Sequence, residues 1–138
     1  MKMSILFPMV ALATLTFAVL VLIPVRRFRA GRAGQVSFDD FRYGESVRVP
    51  PDVAIPNRNM MNLLELPLLF YVACLTYFVT DRVGDSALAL AWTYVGLRIA
   101  HSAIHLTYNR VRHRLAVFAA SNVVLVMFWT NLLRALSA

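Results

Sequence analysis

Apolar residues gather into four long runs along the chain, separated by polar stretches rich in arginine, glycine and proline. The first, Met3 to Val25, is 23 nearly uncharged residues. At about 1.5 Å per residue that is enough to cross a hydrocarbon core of about 30 Å. Lys2 ahead of it raises the option of a cleaved signal peptide. The run is too long for one, no small-x-small cleavage site follows, and Arg26, Arg27 and Arg29 come next, as behind a retained anchor. The pattern predicts helices over about 3–25, 58–80, 86–108 and 115–133. Asn57 is a candidate N-cap for the second, and Pro67 predicts a kink inside it. The short link Asp81–Asp85 predicts antiparallel packing of helices II and III, with Gly84 suited to end one and Asp85 or Ser86 to cap the next. Residues 26–57 form a mixed-charge connection too long to be wholly structureless. The expected fold class is all-α: an integral membrane four-helix bundle forming one domain over residues 1–138.

Polar residues inside two of these runs change the picture. Helix II opens with Arg58, Asn62 and Glu65; Asn62 lies about 40° and Glu65 about 20° around the axis from Arg58, so one face carries all three. Helix III carries Tyr94, Arg98, His101, His105 and Tyr108 at i, i+4, i+7, i+11 and i+14, a single stripe. Arg112, at i+18, joins that line if the helix continues. Ionisable groups at membrane depth are costly, and they face a protein partner or a water-filled cavity. Two readings are open for the helix II cluster: a buried network that fixes helix register, or a binding site. Helix IV is apolar apart from Ser121, Asn122, Thr130 and Asn131, which read as interhelical hydrogen-bonding residues.

Composition supports the membrane class, with 59% hydrophobic and only 15% charged residues. The net charge of +7 would suit nucleic acid, but no RNA-reading motif or zinc-ligand spacing accompanies it. The arginines instead flank the apolar runs. Seven arginines lie between Arg26 and Arg58 and three between Arg110 and Arg114, against Lys2, Arg82 and Arg134 on the other side. Ten against three predicts a multi-pass protein with both termini outside the cytoplasm. The helix II cluster then sits at the cytoplasmic ends of the bundle, level with the end of the helix III stripe. Cys74, the single cysteine, excludes an intrachain disulfide and reads as a small core residue. His101 and His105, at i, i+4, lack the glutamate and third ligand of helical zinc motifs, so no metal is expected.

Arg58-x-x-x-Asn62-x-x-Glu65 with Pro67 close behind, followed by a third helix reading Trp92-Thr-Tyr94-Val-Gly-Leu-Arg98-Ile-Ala-His101-Ser-Ala-Ile-His105, resembles the MAPEG family. These are membrane-associated proteins of eicosanoid and glutathione metabolism; the nearest likeness is to bacterial members of unassigned activity. The resemblance implies a homotrimer with glutathione as co-substrate, held near the cytoplasmic face between adjacent subunits. It assigns Arg58, Asn62, Glu65, Arg98, His101 and His105 to glutathione binding. It gives Arg112 or Arg114 the role of stabilising the glutathione thiolate, the seven-residue step from His105 favouring Arg112. Histidine stands at 105, and leucine at 66, where relatives carry tyrosine.

The residue types suit that chemistry. A guanidinium matches a carboxylate bidentately, and one beside a thiol favours the thiolate. The implied activity is a glutathione transferase or peroxidase acting on lipophilic electrophiles, with membrane lipids and a lipophilic small molecule as partners and no nucleic acid. The alternative is a non-enzymatic MAPEG-fold protein that binds a lipid or anionic metabolite in the same site. On that side, the two histidines pair with Glu65 or a carbonyl, and Arg110, Arg112, His113 and Arg114 serve only topology and lipid phosphates. A transporter is the weaker third choice, since no broken repeat provides alternating access.

Overall fold

The computed structural model describes residues 1–137. A 3₁₀ turn, Lys2–Ile5, leads into α1 (Leu6–Arg32); a second 3₁₀ turn, Phe38–Phe41, interrupts the connection to α2 (Pro51–Leu64). Then come α3 (Pro67–Thr80), α4 (Asp85–Leu106) and α5 (Val111–Ser137). The elements form four helices long and apolar enough to cross a membrane, because α2 and α3 together make one span from Pro51 to Thr80. The chain is thus an all-α, four-helix membrane bundle.

The helices outrun their apolar runs at the end near residues 26–57. α1 continues to Arg32, seven residues past Val25, and α2 begins at Pro51 rather than Arg58. Both extensions are held by a small second core in which Ala30 packs with Val49, Val53 and Ala54, beside Val36 and Phe41. Asn57 therefore lies inside α2 and caps nothing; proline supplies the first helical residue instead. Pro56, also inside α2, has no N–H to give the Asp52 carbonyl one turn back. Arg26 Nη1 donates to that oxygen at 3.3 Å, so an α1 arginine replaces the missing helical bond.

Pro67 does more than kink the second span. α2 stops at Leu64 and α3 starts at Pro67, with Glu65 and Leu66 forming the break. At the far end, Asp81 adopts a left-handed conformation (φ 56°) and closes α3, while Gly84 precedes α4 as its N-cap. Neither Asp85 nor Ser86 takes that position. A second left-handed residue, Asn109 (φ 46°), reverses the chain between α4 and α5, its N–H donating to Ile104 O at 2.8 Å. α5 starts at Val111, so Arg112, His113 and Arg114 belong to its first turn.

The main core is an aromatic column at membrane depth. Phe70 stacks on Tyr94 (4.7 Å between centroids) and leans on Phe128, which meets Tyr77 at 5.0 Å. Cys74, Leu12, Leu63 and Leu132 are buried around it. Of the four polar residues of α5, Asn131 bridges helices: its Oδ1 accepts from Tyr77 Oη (2.7 Å) and its Nδ2 donates to Ser86 Oγ (3.2 Å). Ser121 and Thr130 donate to carbonyls of their own helix, and Asn122 Oδ1 has no partner among the described residues.

Candidate functional site

The α4 stripe forms as the spacing predicts over most of its length. Tyr94, Arg98, His101 and His105 are all buried along one face of α4, whereas Tyr108 lies past the helix end and is exposed. Because the chain reverses at Asn109, the line does not continue to Arg112.

Arg98 is the pivot of this face. Its side chain is wholly buried, and Nη2 donates to the backbone oxygen of Asn62 at 2.6 Å. That carbonyl belongs to the last turn of α2, where Pro67 has ended the helix and orphaned its acceptors. A cation there also meets the negative end of the helix. Arg98 Nε and Nη1 have no partner among the described residues, and the guanidinium lies 5.7 Å from the Phe118 ring centre.

A cavity of about 330 Å³ opens where α2, α4 and the start of α5 meet; Arg98, expected among the ligand-binding residues, does not line it. Its polar wall comprises Arg58, Asn62, His101, His105 and Arg114; its apolar wall comprises Val111, Leu115 and Phe118. On α5, residues 111, 114, 115 and 118 follow i, i+3, i+4, i+7 spacing, which is why they share the face turned toward α4. Arg112 is off that face and exposed. Arg114 Nη1 donates to Asn109 Oδ1 at 2.8 Å, so the residue that reverses the chain also steadies the cavity arginine. His113 turns away to meet Tyr108 Oη at 3.2 Å.

On α2, Arg58 and Asn62 line the cavity, and Asn62 Nδ2 donates back to Arg58 O at 2.9 Å. Glu65 falls in the helix break, is exposed and lies outside the lining. The common face inferred for these three residues therefore holds for two. Nδ1 of His101 and of His105 has no hydrogen-bond partner among the described residues, and the rings stand 5.7 Å apart. Neither pairs with Glu65. Among the described residues no group of three histidine, cysteine or acidic side chains could hold a metal ion.

Asn59 was missed by the sequence reasoning. It is completely buried; its Oδ1 accepts from Ser102 Oγ at 3.3 Å, and its Nδ2 is unpartnered among the described residues. The available signal was an amide one position from Arg58 at the opening of an apolar span.

A model of the MAPEG family matches residues 5–134, nearly the whole chain and both walls of the cavity. The chain belongs to the MAPEG family. As a MAPEG protein it is an integral, multi-pass membrane protein of the family associated with glutathione and eicosanoid metabolism. Comparison with curated proteins and with solved structures gives no match.

Proposed function

We propose that this MAPEG protein binds glutathione in the cavity between α2, α4 and α5 and directs its thiol at lipophilic electrophiles, as a membrane-bound glutathione transferase or peroxidase. The lining carries this reading. Two guanidinium groups and two imidazoles converge on one small space walled on the other side by Leu115 and Phe118. Small-molecule sites span roughly 300–1,000 Å³, so the volume suits a tripeptide in contact with a lipophilic partner. Arg58 matches a carboxylate of glutathione, and the unpartnered imidazole nitrogens match its peptide groups.

Arg114 is the residue we assign to the thiolate, in preference to Arg112, because it lines the cavity. A thiol of pKa about 8.5 is only a few per cent ionised at pH 7, and a guanidinium beside it lowers that value by about one or two units. The thiolate sulfur then forms the S–C bond while the electron pair of the broken bond departs with the leaving group, or passes to an opening epoxide oxygen that takes a proton from water. With a hydroperoxide, the thiolate takes the terminal hydroxyl as the O–O bond breaks, giving a sulfenic acid and, after protonation by water, an alcohol; a second glutathione then displaces that hydroxyl as water to form the disulfide. Arg98, buried behind the cavity, is a positioning residue that fixes the α2 backbone bearing Arg58 and Asn62. Arg58 and Glu65 stand exposed on a single chain. A homotrimer would cover them and bring Glu65 to the glutathione ammonium of a neighbouring site.

Calorimetric titration of protein in mild detergent with glutathione tests the binding step. Saturable binding is expected, weakened about tenfold or more by Arg58→Ala through loss of a charge-assisted hydrogen bond. Absence of binding to the folded wild-type protein would overturn the reading and leave the site to a different anionic metabolite or a lipid, without catalysis.

A further inference from the structure

A second cavity, of about 630 Å³, lies where the polar end of α1 meets the connection to α2. It shares no lining residue with the Arg58–Arg114 cavity. Ile23, Pro24, Phe28, Phe38 and Phe41 supply its apolar surface, and Arg27 and Arg32 its charge; no carboxylate among the described residues lines it. The wall is built firmly. Arg27 Nη2 pairs with Glu45 at 3.1 Å, and its guanidinium lies 4.4 Å from the Phe41 ring centre, while its buried Nε has no partner among the described residues. Asp40 pins the 3₁₀ turn carrying Phe38 and Phe41 by accepting from Ser37 N (2.8 Å) and Ser46 Oγ (2.7 Å). Phe38 is nonetheless 91% exposed at the rim of this cavity.

Depth explains the combination. The uncharged run of α1 ends at Val25, so Ile23 and Pro24 stand at the edge of the hydrocarbon. Arg27 lies about 3 Å past Val25, inside the roughly 5–8 Å headgroup layer, and Arg32 about 10 Å past it, at the outer margin, from where its long side chain reaches back to phosphate depth. The cavity therefore changes from apolar to cationic where a lipid changes from acyl chain to phosphate. Arg26 and Arg29 on the same two turns add to the positive field. We infer that this corner is a binding site for one anionic phospholipid of the adjoining leaflet. Its phosphate meets Arg32 and the free edge of Arg27, its upper chain lies against Ile23 and Phe28, and Phe38 dips beside it into the membrane.

The test uses the detergent-solubilised full chain with phosphatidylglycerol, phosphatidylcholine and inorganic phosphate as probes. Native mass spectrometry is expected to show one phosphatidylglycerol per chain, and the same lipid should raise the melting temperature saturably. Phosphatidylcholine and phosphate should do neither. Arg32→Gln should weaken phosphatidylglycerol binding about tenfold or more. Gly31→Leu is the second variant: a Cβ at Gly31 meets nothing nearer than Val36 O at 4.0 Å, so the new side chain can fill the cavity. It should abolish lipid binding while leaving the unliganded melting temperature unchanged or higher, since glycine is a weak residue inside a helix. Equal binding of the two phospholipids, a full response to phosphate alone, or wild-type lipid binding by either variant would overturn the inference.

Discussion

Arg98 has a different weight from the other arginines, because its charge is buried and one of its few partners is a helix end. Removing it should strip the Asn62 carbonyl of its donor, at a cost of about 1.5–3 kcal/mol. Arg98→Ala should therefore lower the melting temperature in detergent even without ligand, whereas Arg114→Ala, at the cavity surface, should change it little. The buried stripe from Tyr94 to His105 was legible in the sequence because its spacing follows the helix repeat, which α4 keeps to Leu106. The choice between Arg112 and Arg114 was not, because it turns on Asn109 entering the left-handed region and restarting the helical phase at Val111. Asn59 stayed hidden for a related reason: its partner Ser102 lies 43 residues away, and local spacing carries no sign of that pairing.

At the level of elements, the break between α2 and α3 joins a sequence feature to the site. Pro67 ends α2, and Arg98 caps the end so made, so the two residues should be energetically coupled. A double-mutant cycle of Pro67→Ala and Arg98→Ala, read by reversible unfolding, should give a coupling of about 0.5–3 kcal/mol. Strict additivity would mean that the break stands without the arginine. Hydropathy revealed the spans but not the helical extensions, since the alanines and valines that hold them are scattered among arginines and prolines. The same connection should respond to acid. Hydrogen bonds from the Ser37 backbone and the Ser46 hydroxyl hold the Asp40 carboxyl below its ordinary pKa. A depressed folded value means that the stabilisation is present above the ordinary carboxylate range, near pH 4, and fades as pH falls through the lowered value. Pepsin cleavage within residues 33–50 should accordingly accelerate only in strong acid for the wild type. Asp40→Asn should be cut readily at milder pH; equal protection of the two proteins would remove Asp40 from this role.

For the whole molecule, a single chain leaves charged Arg58 and Glu65 on its surface beside broad apolar faces. Charges at that depth need protein or water around them. Subunit assembly is the expected remedy, and native mass spectrometry in mild detergent should give trimers; monomers alone would contradict it. The proposed role of Arg114, turning bound glutathione into a nucleophile, is read out by the ultraviolet absorbance of the bound thiolate followed against pH. Wild-type protein and Arg112→Ala should form thiolate about one to two pH units below free glutathione. Arg114→Ala should still bind glutathione but ionise it near the free value. An unchanged titration in Arg114→Ala, or a shift confined to Arg112→Ala, would contradict the claim.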